Sequence, residues 1–149
     1  MEGAKEMNNE NKKKHFLCEA LYDIIALQDM IKDFHSKYFG QLLVKLVGGD
    51  TIPFFLITHN GSHLRLMDTV KQFETEFFRI EAIDRESCRG TVSLLRAYDY
   101  EGHDTNLIAE VVRLERTSSE KSIDLSGISA IQLLKPDMLK GKFIIEPKW

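Results

Sequence analysis

His59 and His63 stand four residues apart, a spacing that holds zinc when both side chains leave one face of a helix. Here Asn60-Gly61 lies between them and reads as a hairpin turn, which can set the two rings opposite one another as half of a surface metal site. No third ligand stands at a fixed spacing from the pair, so no metal set is expected. The segment DYEGHDTN brings Asp99, Glu101, His103 and Asp104 within six positions. It lacks the ordered ligand spacing of a calcium loop and reads as a solvated strand connection. Cys18 falls beside the apolar Leu17 and Leu21, where a thiol is buried and inert. Cys88 follows the charged run Asp84-Arg85-Glu86-Ser87 and precedes Arg89, a setting that favours thiolate character. Ser126 in LSGIS lacks the Gly-x-Ser-x-Gly elbow of hydrolases, and Gly48-Gly49-Asp50 lacks the strand-to-helix setting of a phosphate loop. Glu74 and Glu76, two apart, read as one wet strand face rather than as an acid and base pair. The chain therefore reads as a non-enzyme with no catalytic, cofactor or metal residues.

The elements that must carry these residues follow from the patterning. At 149 residues, 43% hydrophobic with only 3 Pro, the chain is one folded domain. Its net charge of -3 offers no broad positive field, and no basic patch for nucleic acid is found. No stretch approaches the roughly 18 apolar residues that cross a bilayer. Glu19 and Asp23 interrupt what a signal peptide would need as its apolar core, so no export signal is read. Two cysteines are too few for a disulfide framework and suggest synthesis in a reducing compartment.

Residues 1–14 are almost wholly polar and are expected to form a disordered leader. Over 15–39, Leu17, Leu21, Ile24, Ile25, Ile31, Phe34 and Tyr38 recur at helical steps, and Gly40 offers a left-handed stop. Beyond it the period shortens to that of strands, predicted at 42–47, 53–58, 64–67, 77–83, 91–98, 108–116, 128–134 and 143–146. Asn60-Gly61 suits a type I′ hairpin. Alternation such as Phe78, Ile80, Ala82 against Arg79, Glu81, Ile83 gives strands one dry and one wet face. The expected fold is mainly β, a β-sandwich of Greek-key or jelly-roll type with one N-terminal helix, forming a single domain over 15–149.

Two features point to contact surfaces. Consecutive Phe54, Phe55 and Leu56 cannot all face one side of a sheet, so the second side needs a cover. The C-terminal FIIEPKW ends in the sole Trp of the chain, Trp149, which either anchors a neighbouring subunit or folds back on its own core.

Three stretches in order, DTIPFFLITHNGSHLRLMD, EFFRIEAIDRESCRGTVSLLRAY and KSIDLSGISAIQLL, with the helical EALYDIIALQD before them, resemble the CotY/CotZ family of spore coat and exosporium proteins over residues 17–134. Pro53 and Phe54 match the family's Pro-Phe, Phe78, Arg79 and Glu81 its Phe-Arg-x-Glu, and Cys88 the cysteine after the acidic turn. Ile123-Asp124-Leu125-Ser126 and Ala130-Ile131-Gln132 close the pattern. The resemblance implies a structural protein that self-assembles, commonly as hexameric rings tiling a plane, with itself and other spore coat or exosporium proteins as partners. It implies deposition in the coat, crust or exosporium after synthesis in the mother-cell cytoplasm without a signal peptide. Family members are cysteine-rich, whereas this chain has Gly127, Ser129 and Leu133 where they carry cysteines. Intermolecular disulfides therefore rest on Cys88 and Cys18 alone, and residues 135–149 extend past the family's usual end. Two other roles stay open: an adaptor docking onto a lattice of cysteine-rich relatives, and a small ligand- or carbohydrate-binding sandwich using DYEGHDTN.

Overall fold

The computed structural model describes residues 2–33, 51–134 and 144–146. Helix α1 (Glu2–Asp33) precedes strands β1 (Phe54–Thr58), β2 (Leu66–Asp68), β3 (Phe73–Thr75), β4 (Phe78–Asp84), β5 (Arg89–Tyr98), β6 (Arg113–Asp124), β7 (Ile128–Leu133) and β8 (Ile144–Glu146). The mainly β fold with one N-terminal helix is the class the patterning predicts. The expected strand 42–47 and the helix stop at Gly40 lie outside the described residues. Where the polar leader is expected to be disordered, helical backbone runs from Glu2. That segment has no proline and is largely Glu, Lys, Ala and Asn, so once a helix is nucleated downstream little opposes its extension.

The two sheets are unequal rather than comparable layers. Six strands form one sheet in the order β7-β1-β4-β5-β6-β8, and β2 pairs with β3 in a separate ribbon. All pairings are antiparallel except that of β8 with β6. On a flat sheet β6 and β7 would stand about 19 Å apart, four strand spacings. The chain from Asp124 to Ile128 can span at most about 14 Å. The sheet must therefore be rolled, and the bend falls where β1 and β4 share a single registered pair, Phe54 with Phe78.

One face of α1 packs into the roll. Leu17, Cys18, Leu21 and Ile24 of the helix are buried with Phe54, Leu56, Phe78, Ile80, Val92 and Leu94 of the sheet. Each buried aliphatic of that helical stripe contributes about 1.5 to 3 kcal/mol. Gln28 continues the stripe as a buried polar residue: its Nε2 donates to Ile80 O at 3.0 Å and its Oε1 accepts from Ile52 N at 3.0 Å. The other side of the sheet carries a second cluster, Phe55, Phe77, Leu95, Ala97, Val111, Leu114 and Leu134. The Phe54-Phe55-Leu56 problem is solved by burying both faces.

Two local expectations change. The Asn60-Gly61 hairpin forms, with Gly61 at φ +84, but Asn60 stays out of the left-handed region, so the turn is not type I′. Gly61 N donates to Thr58 O at 2.9 Å and Thr58 N to Ser62 O at 2.8 Å, a tight turn followed by one left-handed residue. Asn60 Oδ1 favours this form by accepting from Ser62 N and the Thr58 hydroxyl. In β4 the register shifts between Ile80 and Ala82, making Glu81 a bulge. The alternation flips there: Ile83 packs against the helix-side core and Ala82 is exposed. The predicted strand 108–116 is a 3-10 turn, Ile108–Glu110, before β6 begins at Arg113.

Candidate assembly surface

Residues singled out for chemistry mostly hold the fold together. His59 and His63 diverge. His59 Nε2 lies 2.7 Å from Ser126 O, whereas the His63 ring stacks on Phe55 at 4.4 Å and its Nδ1 lies 3.5 Å from Glu76 Oε2. Among the described residues no three His, Cys, Asp or Glu side chains converge as metal ligands. In DYEGHDTN, Asp99 Oδ1 accepts from Glu101 N and His103 N, and Asp104 forms a two-bond pair with Arg96 at 2.8 and 3.0 Å. Both aspartates are thus committed to shaping the β5–β6 connection, which weakens the reading of this loop as a ligand site.

The Phe-Arg-x-Glu stretch is a polar lock. Phe78 fills the roll, while the buried Arg79 donates to Thr51 Oγ1 at 3.0 Å and to Glu81 Oε2 at 2.7 Å. Glu81 also accepts from Arg116 Nη2 at 3.1 Å and from Ser93 Oγ at 2.5 Å. One carboxylate so ties β4, β5 and β6, and the bulge is what aims it. The Ile123-Asp124-Leu125-Ser126 stretch makes the corner that closes the roll. Asp124 accepts from Ser126 N at 3.0 Å, and the buried Leu125 donates its N–H to Cys88 O at 3.3 Å.

Cys18 and Cys88, 70 positions apart in sequence, meet beneath the β4–β5 turn. Both are free and buried, at 0% and 6% exposure. Burial pushes the Cys18 thiol up to about 12, with the nearby Cys88 thiol adding to the rise. Sequence spacing could not show this meeting, because it depends on the helix lying across the β4–β5 turn.

What faces outward is apolar in several places. Val70 and Tyr100 are 88% and 92% exposed, and Phe16, Leu27, Met30, Met67, Leu107 and Leu133 are exposed too. The β2–β3 ribbon and the β5–β6 connection adjoin, since Asn106 Oδ1 accepts from Glu76 N and its Nδ2 donates to Glu74 O. Met67 and Leu107 stand on these adjoining elements, so one end of the molecule combines exposed apolar groups with a fixed polar frame. Trp149 lies outside the described residues. No helix among the described residues is long and apolar enough to cross a membrane.

The described surface therefore joins ionic groups bonded within the fold to apolar residues turned outward. No family model and no solved structure matches the chain. Among curated proteins, spore coat protein Z of Bacillus subtilis (strain 168) is 34% identical over 137 residues, covering 81% of this chain and 89% of that protein. The chain belongs to the CotY/CotZ family of spore coat proteins.

Proposed function

We propose that this chain is a structural protein of the spore coat, crust or exosporium that associates with copies of itself, in rings or a two-dimensional lattice, and does not act as an enzyme. Likeness to a coat protein over four fifths of the chain carries the reading. It is supported by the engagement of Arg79, Glu81, Asp99, Asp104 and Asp124 in holding the fold together. A planar lattice needs two contacts, one closing a ring and one joining rings. The exposed apolar groups of the β2–β3 and β5–β6 end supply one, and Trp149, following the edge strand β8, supplies the other. Each contact is weak alone and durable when repeated across a layer.

Size exclusion followed by negative-stain microscopy of the purified chain tests this. Rings or sheets that grow with concentration are expected. A particle that remains monomeric at every concentration overturns self-assembly and leaves docking onto a lattice of relatives as the surviving role.

A further inference from the structure

The arrangement beneath the β4–β5 turn carries an inference that does not depend on assembly. We propose that Cys18 and Cys88 are a redox modification site: a small-molecule disulfide converts them to an intramolecular disulfide that staples α1 to the turn between β4 and β5.

Three observations converge on the pair. First, both sulfurs lie against the same carbonyl, Arg85 O, at 4.0 Å for Cys18 and 3.6 Å for Cys88, and both belong to one buried cluster. Second, Cys88 adopts φ +52, in the left-handed region where glycine avoids the Cβ penalty. Strained backbone of this kind persists where the side chain it aims is wanted. Here it turns a thiol inward, under the helix, rather than leaving the end of a charged turn to glycine. Third, the cover over the sulfurs is a removable clamp. Arg85 grips Glu19 Oε1 through two nitrogens at 3.1 and 2.7 Å and lies 4.4 Å over the Tyr22 ring. These groups are partly exposed, so the clamp opens at modest cost and admits an oxidant.

The chemistry balances with a disulfide RSSR as oxidant. One protein thiolate attacks RSSR, forming a mixed disulfide and expelling RS⁻. The second thiolate then attacks the protein sulfur of that bond, closing the Cys18–Cys88 linkage and expelling another RS⁻. Two protein S–H groups and one S–S bond are exchanged for one protein S–S and two RSH, with the two protons passing to the expelled thiolates. Because burial keeps the Cys18 thiol protonated in the closed state, the first attack waits on opening of the clamp.

The test treats the purified full-length chain with glutathione disulfide and compares it with a reduced sample. The expected product is a monomer about 2 Da lighter, with no thiol titratable after unfolding and a proteolytic peptide pair joining Cys18 to Cys88. Its unfolding midpoint is expected to rise by about 10 °C, a gain absent from Cys88→Ser. Recovery of two free thiols after oxidation in mild denaturant, or glutathione adducts or interchain dimers as the main product, overturns the proposal. The mass and peptide readouts use the unsubstituted chain, so they hold even if the serine variant folds poorly.

Discussion

Replacing Gln28 with leucine tests the central structural claim, that α1 is registered in the roll by a buried polar contact as well as by its apolar stripe. Gln28 Nε2 and Oε1 satisfy Ile80 O and Ile52 N, both at 3.0 Å and both buried. Ile80 O adjoins the β-bulge at Glu81, where the ladder to β5 is disrupted, so the side chain supplies a partner at a break in the sheet. Leucine fills similar volume but strands Ile52 N, at about 1 to 3 kcal/mol, while Ile80 O loses one donor and keeps the other, Arg79 Nη1 at 3.3 Å. After allowing for the apolar area leucine buries, a net loss of about 2 kcal/mol is expected. For 149 residues that lowers the unfolding midpoint by about 6 °C. Gln28→Glu sharpens the test. Its carboxylate can accept from Ile52 N but has no proton for Ile80 O, so its folded pKa is raised above the usual value of about 4.3. A raised folded pKa means that stability is retained below the unfolded value and lost as pH rises through the folded one. The glutamate variant should match the parent near pH 3.5 and fall away from it by about pH 7. Thermal unfolding followed by circular dichroism across that range reads both effects. A leucine variant melting within about 2 °C of the parent, or a glutamate variant that tracks it at every pH, refutes the assigned role of Gln28.

Three further outcomes are expected. Backbone N–H groups of Ser87 and Glu86 hold the Asp84 carboxyl below its ordinary 3.8. A depressed folded pKa gives stability that is present above 3.8 and lost as pH falls through the folded value, so the difference in melting temperature between the parent and Asp84→Asn should be open at neutral pH and close in acid. Phe55→Ala should cost about 3 to 5 kcal/mol by opening a cavity against Phe77, which lies 5.0 Å away ring to ring, and urea unfolding would show it as a lowered midpoint. Trp149→Ala should lower the apparent mass in sedimentation without changing the monomer's melting temperature; a lowered melting temperature instead would show that Trp149 covers its own core.

The helix and most strands are legible because their signals are local. Leu17, Leu21 and Ile24 recur at helical steps and are buried together, and 91–98 alternates much as β5 does. Phe73–Thr75 escapes notice because three residues are too few to show a period, and the second half of β6, SSEKSID, because its outward face is polar along its length. The bulge at Glu81 leaves no mark in composition, yet it reverses which of Ala82 and Ile83 is dry. Rolling of the sheet depends on pairing β7 with β1 across the interval from residue 54 to 133, and no local pattern encodes a contact of that separation. The meeting of Cys18 and Cys88 has the same origin. Each cysteine was readable in its own neighbourhood, one apolar and one charged, but their proximity exists only after the helix has entered the roll.

That proximity alters how a cysteine-poor coat protein can gain resistance. A disulfide between chains fastens a layer by joining its units, and it needs sulfurs at the surface. Here both sulfurs are buried, so a bond between them fastens the unit instead. It closes a loop from residue 18 to 88 that spans nearly half the chain and ties the helix to the sheet, which removes from the unfolded ensemble an entropy worth about 4 kcal/mol. In the proposed assembly, cohesion between units would then fall to exposed apolar groups such as Val70, Tyr100 and Leu107, whose contacts are insensitive to reductant. The two kinds of durability are therefore separable by experiment. Reductant should lower the melting temperature of an oxidised chain while leaving its assemblies intact under the microscope. Assemblies that dissolve on reduction would show that a sulfur works between chains, and would require the β4–β5 turn to be open in the assembled state.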